Sequence, residues 1–321
     1  MGTRKTLNDA KRRKADEFYT SYEDIEKEMK YYTHFFKDKT VYCNCDNHES
    51  NFRKYFFDNF DKLGLKRLIC TSYPYGTLED INKDEMQLTV MNGNGDFRSE
   101  ECIEFLKQCD IVVTNPPFSL FRQHLKLIME HGKKFITLGT NKGVVTKEVF
   151  PYFKRNEVRL GVSIHSGDRE FRVPDDYPLS EKASRIDEKG VKYIRVDGVR
   201  WYTNFDISQD NKGIEPVCHY NEKDYPKYDN LDAIHVKNSK DIPVDYDGLM
   251  GVPVTYIDRQ REDLFEIVGI FNRFSQSDYV NGFICGENAE YEEKSGKVLR
   301  TRGPVLNRKA LYTRILIKRK V

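Results

Sequence analysis

Four consecutive residues, Asn115, Pro116, Pro117 and Phe118, combine groups that suit one kind of chemistry. The Asn115 side-chain oxygen and the Pro116 carbonyl are two hydrogen-bond acceptors, and the second proline fixes the loop that aims them. Phe118 adds a flat apolar face. Two acceptors converging on a point suit an –NH2 group, which has two hydrogens to give, and the ring suits a stacked heterocycle. An exocyclic amine such as that of adenine is a poor nucleophile, because its lone pair is delocalised into the ring. Accepting both hydrogens draws the nitrogen toward tetrahedral geometry and stabilises positive charge as it bonds to an electrophile. No strong base is needed, since the proton can leave after attack. Alignment with a methyl donor supplies the rest. A base in duplex DNA reaches such a pocket only when turned out of the stack, and Phe118 can then replace part of the lost stacking. The competing reading is that the tetrapeptide is a rigid strand-to-loop turn and nothing more.

Other candidate chemistry is thinner. Cys43-x-Cys45 followed by His48 has metal-ligand residue types, yet no second pair follows at zinc-like spacing, so no metal is expected. His165 and Ser166 lack a third orienting group that would make them a nucleophile pair. Gly139 to Gly143 is glycine-rich without the spacing of a phosphate loop. Trp201, the one tryptophan, is either a core residue or a surface for an extruded base.

The tetrapeptide is placed by what precedes it. Asp110-Ile111-Val112-Val113-Thr114 is a short β-branched run, the pattern of a strand buried on both faces of a parallel sheet. Strands are also expected at 39–46, 65–73 and 133–140. Helices are expected at 16–36, with Ile25, Met29, Tyr32 and Phe36 on one stripe, and at 50–64, 99–110 and 119–132. This alternation predicts a doubly wound α/β sheet, with ligands beyond the carboxyl ends of its strands. Past residue 156 the chain turns to short strands punctuated by Gly, Pro, Asn and Asp. The expected division is a sheet domain over 1–205, with a basic arm at 1–14, and a smaller irregular domain over 206–321.

Of the 321 residues, 38% are hydrophobic and 20 each are Tyr and Phe, which argues for a folded chain with a sizeable core. Seven scattered cysteines, without a signal peptide or membrane-length apolar run, read as reduced thiols in a cytoplasmic protein. Charge is uneven: residues 294–321 hold ten Lys or Arg and no acid. Basic termini suit a polyanion, and Lys11, Arg12, Arg13, Lys14, Arg300, Arg302 and Arg308 are the candidates for phosphate contact. Base-edge contact falls to Arg259, Arg261, Asn272, Arg273, Gln276 and Asn281, which have suitable groups in the second domain.

The tetrapeptide matches the Asn-Pro-Pro-[Phe/Tyr] signature of amino-group methyltransferases. The whole chain resembles the EcoRI family of adenine-N6 DNA methyltransferases, through DEFYT, VYCNCD with SNF, GDFRS, DIVVTNPPFSLF, LGVSIHSG, RWYTNF and DGLMGVPVTYID in order. The resemblance implies a Rossmann-like mixed seven-stranded sheet with a C-terminal target-recognition domain. It also implies S-adenosylmethionine as methyl donor, duplex DNA as substrate, and a host modification role beside a restriction endonuclease that acts on the same site without a stable complex. A monomer is the expected state. Asp16, Phe18, Tyr19 and Thr20 match the motif that closes over the donor's methionine end, and Asn44, Cys45 and Asp46 stand where the donor pocket begins. Asp96 and Phe97 match the pair that contacts the donor's adenine, although Asp96 could instead cap the helix near Ser99. Asn115, Pro116, Pro117 and Phe118 are the catalytic clamp. Two departures stand out: Cys45-Asp46-Asn47-His48-Glu49 replaces the usual Gly-x-Gly, and Thr71-Ser72-Tyr73 replaces the acid that often holds the donor's ribose. The alternatives are transfer to an RNA base or a protein amide, and a non-enzymatic DNA-binding protein on the same fold.

Overall fold

The computed structural model describes residues 18–165, 167–175, 177, 179, 184–207, 213–272 and 282–320. The chain divides into two compact units, one of Met1–Gly143 with Val158–Asp210 and one of Val144–Glu157 with Asn211–Val321.

The first unit is built on one sheet in the order β4-β3-β2-β1-β5-β6-β11-β7. Its centre is β1 (Thr40–Cys43), β2 (Arg67–Ser72), β5 (Ile111–Thr114) and β6 (Lys134–Thr140), all parallel. Every residue of β1 and β5 is buried, as their unbroken apolar runs require. Successive β-α-β steps run outward from β1 to β2 on one side and from β5 to β6 on the other. The strand order therefore reverses between β1 and β5, and a crevice opens beyond their carboxyl ends.

Among the described residues this sheet has eight strands where the resemblance implied seven. The excess comes from antiparallel additions at the edges: β3 (Thr77–Asn82) and β4 (Met86–Val90) on one side, β11 (Val199–Thr203) and the two-residue β7 (Arg159–Leu160) on the other. No helix separates β2 from β3. Tyr73 to Gly76 turns the chain in four residues, with Gly76 at φ +60° and its N–H on the Ser72 carbonyl at 3.0 Å.

Three helices over this sheet begin on serine, whose hydroxyl takes a free backbone N–H in the first turn. Ser21 starts α1 (Tyr22–Met29), Ser50 starts α2 (Asn51–Asp58) and Ser99 starts α3 (Glu100–Gln108). A fourth helix, α4 (Phe121–Glu130), follows β5. The apolar stripe Ile25, Met29, Tyr32, Phe36 is fully buried, but the α-helix stops at Met29, and Tyr32 and Phe36 flank a 3-10 turn, Thr33–Phe35. Each such large side chain contributes about 1.5–3 kcal/mol by leaving water.

In the second unit, β12 (Lys227–Tyr228), β13 (Leu231–His235), β14 (Met250–Pro253), β15 (Phe265–Phe271), β16 (Phe283–Ile284) and β21 (Arg314–Arg319) join in the order β12-β13-β14-β21-β15-β16. Two hairpins stand apart from it: β17 (Ala289–Glu292) with β18 (Val298–Thr301), and β19 (Val305–Leu306) with β20 (Lys309–Ala310). Among the described residues, no helix is long and apolar enough to cross a membrane.

Candidate functional site

The crevice at the strand reversal holds a cavity of about 540 Å³. Chain leaving β1 supplies Cys45 to Asn47, and chain leaving β5 supplies Asn115 and Pro117. Phe18 to Thr20, the start of α2 at Ser50 to Phe52, Tyr73 and the loop from Asn94 to Arg98 complete the wall, with Ser119 and Leu120.

Asn115 is held at one end only. Its Nδ2 donates to the Phe18 carbonyl at 2.7 Å, while its Oδ1 is buried and has no partner among the described residues. The Oγ1 of Thr20 is in the same condition on the same wall. Leaving a buried polar atom unsatisfied costs about 1–3 kcal/mol, so two of them on residues that line one cavity mark it as a place for polar groups of a ligand.

Asp46 does a different job. Ser50 Oγ donates to its Oδ1, and Thr114 Oγ1 donates to its Oδ2 at 2.5 Å. Burial pushes this carboxyl up to about 6, against the opposing pull of those two hydroxyls. The carboxylate thus ties the end of β1 to the start of α2 and to Thr114, the residue before Asn115. Cys45 beside it is a protonated thiol, its pKa raised well above the ordinary value by burial.

The loop carrying Asp96 and Phe97 lies against the end of β2. At Gly95, φ is +78°, and an added Cβ would sit 2.0 Å from the Ser72 carbonyl oxygen, so only glycine permits the approach. Arg98 donates to both oxygens of Asp96, at 2.9 and 2.6 Å, and holds its carboxyl below the usual range. Phe97 is buried edge-on against His124, ring centroids 5.0 Å apart. His124 Nε2 pairs with Asn44 Oδ1 at 2.9 Å, and burial alone pushes its imidazole down to about 3, so it is neutral.

The chain matches the profile of the family described as adenine-specific methyltransferase EcoRI over residues 6–87 and 75–320. It is 42% identical over 305 residues to the type II methyltransferase M.EcoRI of Escherichia coli, covering 87% of this chain and 94% of that one. The chain belongs to the EcoRI family of adenine-specific methyltransferases. Two mycoplasma proteins are also similar, each aligned over 98% of both chains: the type II methyltransferases M.MgeORF184P of Mycoplasma genitalium, 38% identical, and M.MpnI of Mycoplasma pneumoniae, 37% identical. No solved structure matches.

In this EcoRI-family chain, nine of the residues singled out in the sequence share the cavity wall: Phe18, Tyr19, Thr20, Cys45, Asp46, Asp96, Phe97, Asn115 and Pro117. Three do not. Asn44 is turned inward to His124 and Cys45 Sγ, because a buried imidazole needs that acceptor. Pro116 is buried, and Phe118 packs on Phe18 and Phe171 with centroids 5.3 and 5.9 Å apart. The capping alternative for Asp96 falls away, since Ser99 is the cap. Trp201 is core and cannot stack on a base: it is 0% exposed in β11, edge-on to Phe52.

Arg261 pairs with Asp263 and Glu215, at 2.6 and 2.7 Å. Arg300 pairs with Glu290 at 3.0 Å but stays largely exposed; Arg259, Arg302 and Arg308 are exposed, and Asn272 is buried. Asp16, Lys11, Arg12, Arg13, Lys14, Ser166, Arg273, Gln276 and Asn281 lie outside the described residues. The stretch around His165 is tied down by Glu28, which accepts from Val162 N–H at 3.0 Å and Ser163 N–H at 2.7 Å. Among the described residues, no three His, Cys, Asp or Glu side chains gather as metal ligands would.

Sequence reasoning missed Asn47, Asn51, Tyr73, Asn94 and Arg98 on the wall. Tyr73 had a signal: it stands at the end of β2, where an acid was looked for and not found.

Proposed function

We propose that the cavity holds S-adenosylmethionine and that Asn115 and Pro116 receive the N6 amine of an adenine turned out of duplex DNA. One observation carries the reading: the unpartnered Asn115 Oδ1, beyond the carboxyl end of β5, on the wall of a cavity that also holds the unpartnered Thr20 Oγ1. The fit of the donor is supported by size and lining. Pockets for molecules of this class run to about 300–1,000 Å³ with a few convergent polar groups. Here polar residues of the wall include Thr20, Asp96 and Asn115, and Phe97 offers a ring packed on His124.

When bound, S-adenosylmethionine supplies an electrophilic methyl group on a sulfonium. Thr20 Oγ1 would meet its methionine end, and Asp96 with Phe97 its adenine. Asn115 Oδ1 and the Pro116 carbonyl would each accept one N6 hydrogen, concentrating the nitrogen lone pair toward the methyl and stabilising the charge that develops. Asp46 is not the base, because both of its oxygens already accept hydroxyl hydrogens. The proton leaves after attack. Phe118, off the cavity wall, is assigned to the extruded base rather than to the donor.

Residues 206–321 are assigned to target recognition, with Arg259, Arg300, Arg302 and Arg308 as its candidate DNA contacts and Lys11 to Lys14 as a basic arm on phosphate. The chain is assigned to a modification system, as a monomer beside an endonuclease that it does not bind stably. The test is transfer of radiolabelled methyl to duplex DNA, RNA and protein, followed by nucleoside analysis. Label in N6-methyladenine from duplex DNA is expected; label in 5-methylcytosine, in RNA or in protein, or none, would overturn the reading.

A further inference from the structure

A clamp needs its acceptor pointing the right way. The two ends of an asparagine amide are nearly the same shape, and a half-turn would present N–H to an amine that needs an acceptor. In this chain the choice is made from outside the tetrapeptide. The Phe18 carbonyl takes a hydrogen from Asn115 Nδ2 at 2.7 Å across 97 residues of sequence, leaving Oδ1 without a partner among the described residues.

That carbonyl is itself held. The next residue, Tyr19, donates its N–H to the Arg172 carbonyl at 2.9 Å, bridging to β8 (Asp168–Arg172). The Phe18 ring is buried against Phe118, Phe171 and Tyr177. The Thr20 carbonyl takes Asn51 Nδ2 at 2.7 Å.

We propose that the main-chain carbonyl of Phe18 is a positioning group for methyl transfer, locking the Asn115 amide with Oδ1 toward the amine. The proposal rests on the clamp reading above and adds to it a role for a segment otherwise assigned to the donor alone.

Asn115→Asp tests it. As a carboxylate the new side chain has no hydrogen for Phe18 and turns charge toward a carbonyl. As a neutral acid it regains both functions, O–H to Phe18 and C=O to the amine. The single-turnover rate of the variant divided by that of the full wild-type chain should rise as pH falls from 8.5 to 5.5, by up to about tenfold per unit while the carboxylate predominates. Asp46, Asp96, Arg98, Cys45, Tyr19 and Tyr73 line the same cavity, and Arg172 faces the Tyr19 ring; these groups are common to both proteins, so their effects largely cancel in the ratio. A ratio that stays flat or falls with falling pH overturns the lock, because Asn115 would then need only to accept.

A second arm covers failure of that variant to fold. Phe18→Ala frees the carbonyl from its ring anchor and should lower turnover at saturating donor and DNA by about tenfold, and Phe18→Leu should restore most of it. No fall, or one confined to KM, overturns the proposal. Wild-type label in adenine of the same DNA is established first. Its absence strikes the clamp reading, whereas a flat ratio beside full wild-type activity strikes only the lock.

Discussion

Gly95→Ala separates the donor wall from the clamp. The glycine sits at φ +78°, where a side chain costs about 1–2 kcal/mol. The greater effect is steric: an added Cβ would lie 2.0 Å from the Ser72 oxygen and 2.7 Å from its carbonyl carbon, both backbone atoms that cannot swing aside. Relief means moving the loop outward by roughly 1.5 Å, to ordinary contact, and the next two residues are Asp96 and Phe97. Misplacement on that scale should weaken donor binding at least about tenfold. Asn115 is on another loop, so turnover at saturating donor should stay within about threefold of wild type. Gly93 is the control: its added Cβ meets nothing nearer than Glu101 Oε2 at 3.6 Å, so Gly93→Ala should bind donor normally. Calorimetric titration with S-adenosylmethionine and single-turnover methyl transfer measure the two quantities. Normal donor affinity in Gly95→Ala, or a loss of turnover with affinity intact, would refute the assignment of this loop to the donor.

Asn115→Ala removes the Oδ1 acceptor and should lower turnover at least about 100-fold in single-turnover assays while donor and DNA titrations change little; equal losses in all three would make Asn115 structural. Thr20→Val replaces an unpartnered hydroxyl with its isostere, so thermal melting should show no loss of stability while donor affinity falls about five- to tenfold. Asp46 and His124 predict opposite pH effects on stability. The folded protein disfavours ionised Asp46 up to about 6, so its contribution falls as pH rises from about 4 to 6; Asp46→Asn should therefore gain on wild type by roughly 1–3 kcal/mol between pH 4.5 and 7.5 in urea titrations. His124 stays neutral down to about 3, so its contribution is lost as pH drops below about 6.5, and His124→Gln should gain on wild type toward acid instead.

The residues that made the site legible are those whose type restricts the backbone. Ile111 to Thr114 could be placed as a buried strand from β-branching alone, and two prolines then forced the chain out of the ladder at Asn115. Ser50 and Ser99 marked helix starts for the same local reason. What escaped depends on partners distant in sequence. Nothing near Phe18 says that its carbonyl meets Asn115, and Asn44 reads like its neighbours until His124, 80 residues away, claims it. Trp201 was ambiguous because a lone aromatic carries no face until the strand order puts β11 beside β6. The β2-β3-β4 meander was hidden for another reason: Met86-Gln87-Leu88-Thr89-Val90 alternates apolar and polar residues, but β4 is exposed at every residue, so that alternation marks no buried face.

A structure of the chain with duplex DNA and a non-reactive analogue of the donor measures the central distance itself. The N6 nitrogen of an extruded adenine should lie about 2.7–3.2 Å from both Asn115 Oδ1 and the Pro116 carbonyl, with the analogue in the cavity between Thr20 and Phe97. An adenine still stacked in the duplex, or one whose N6 is bound by other groups while Asn115 Oδ1 stays unpartnered, would contradict the account.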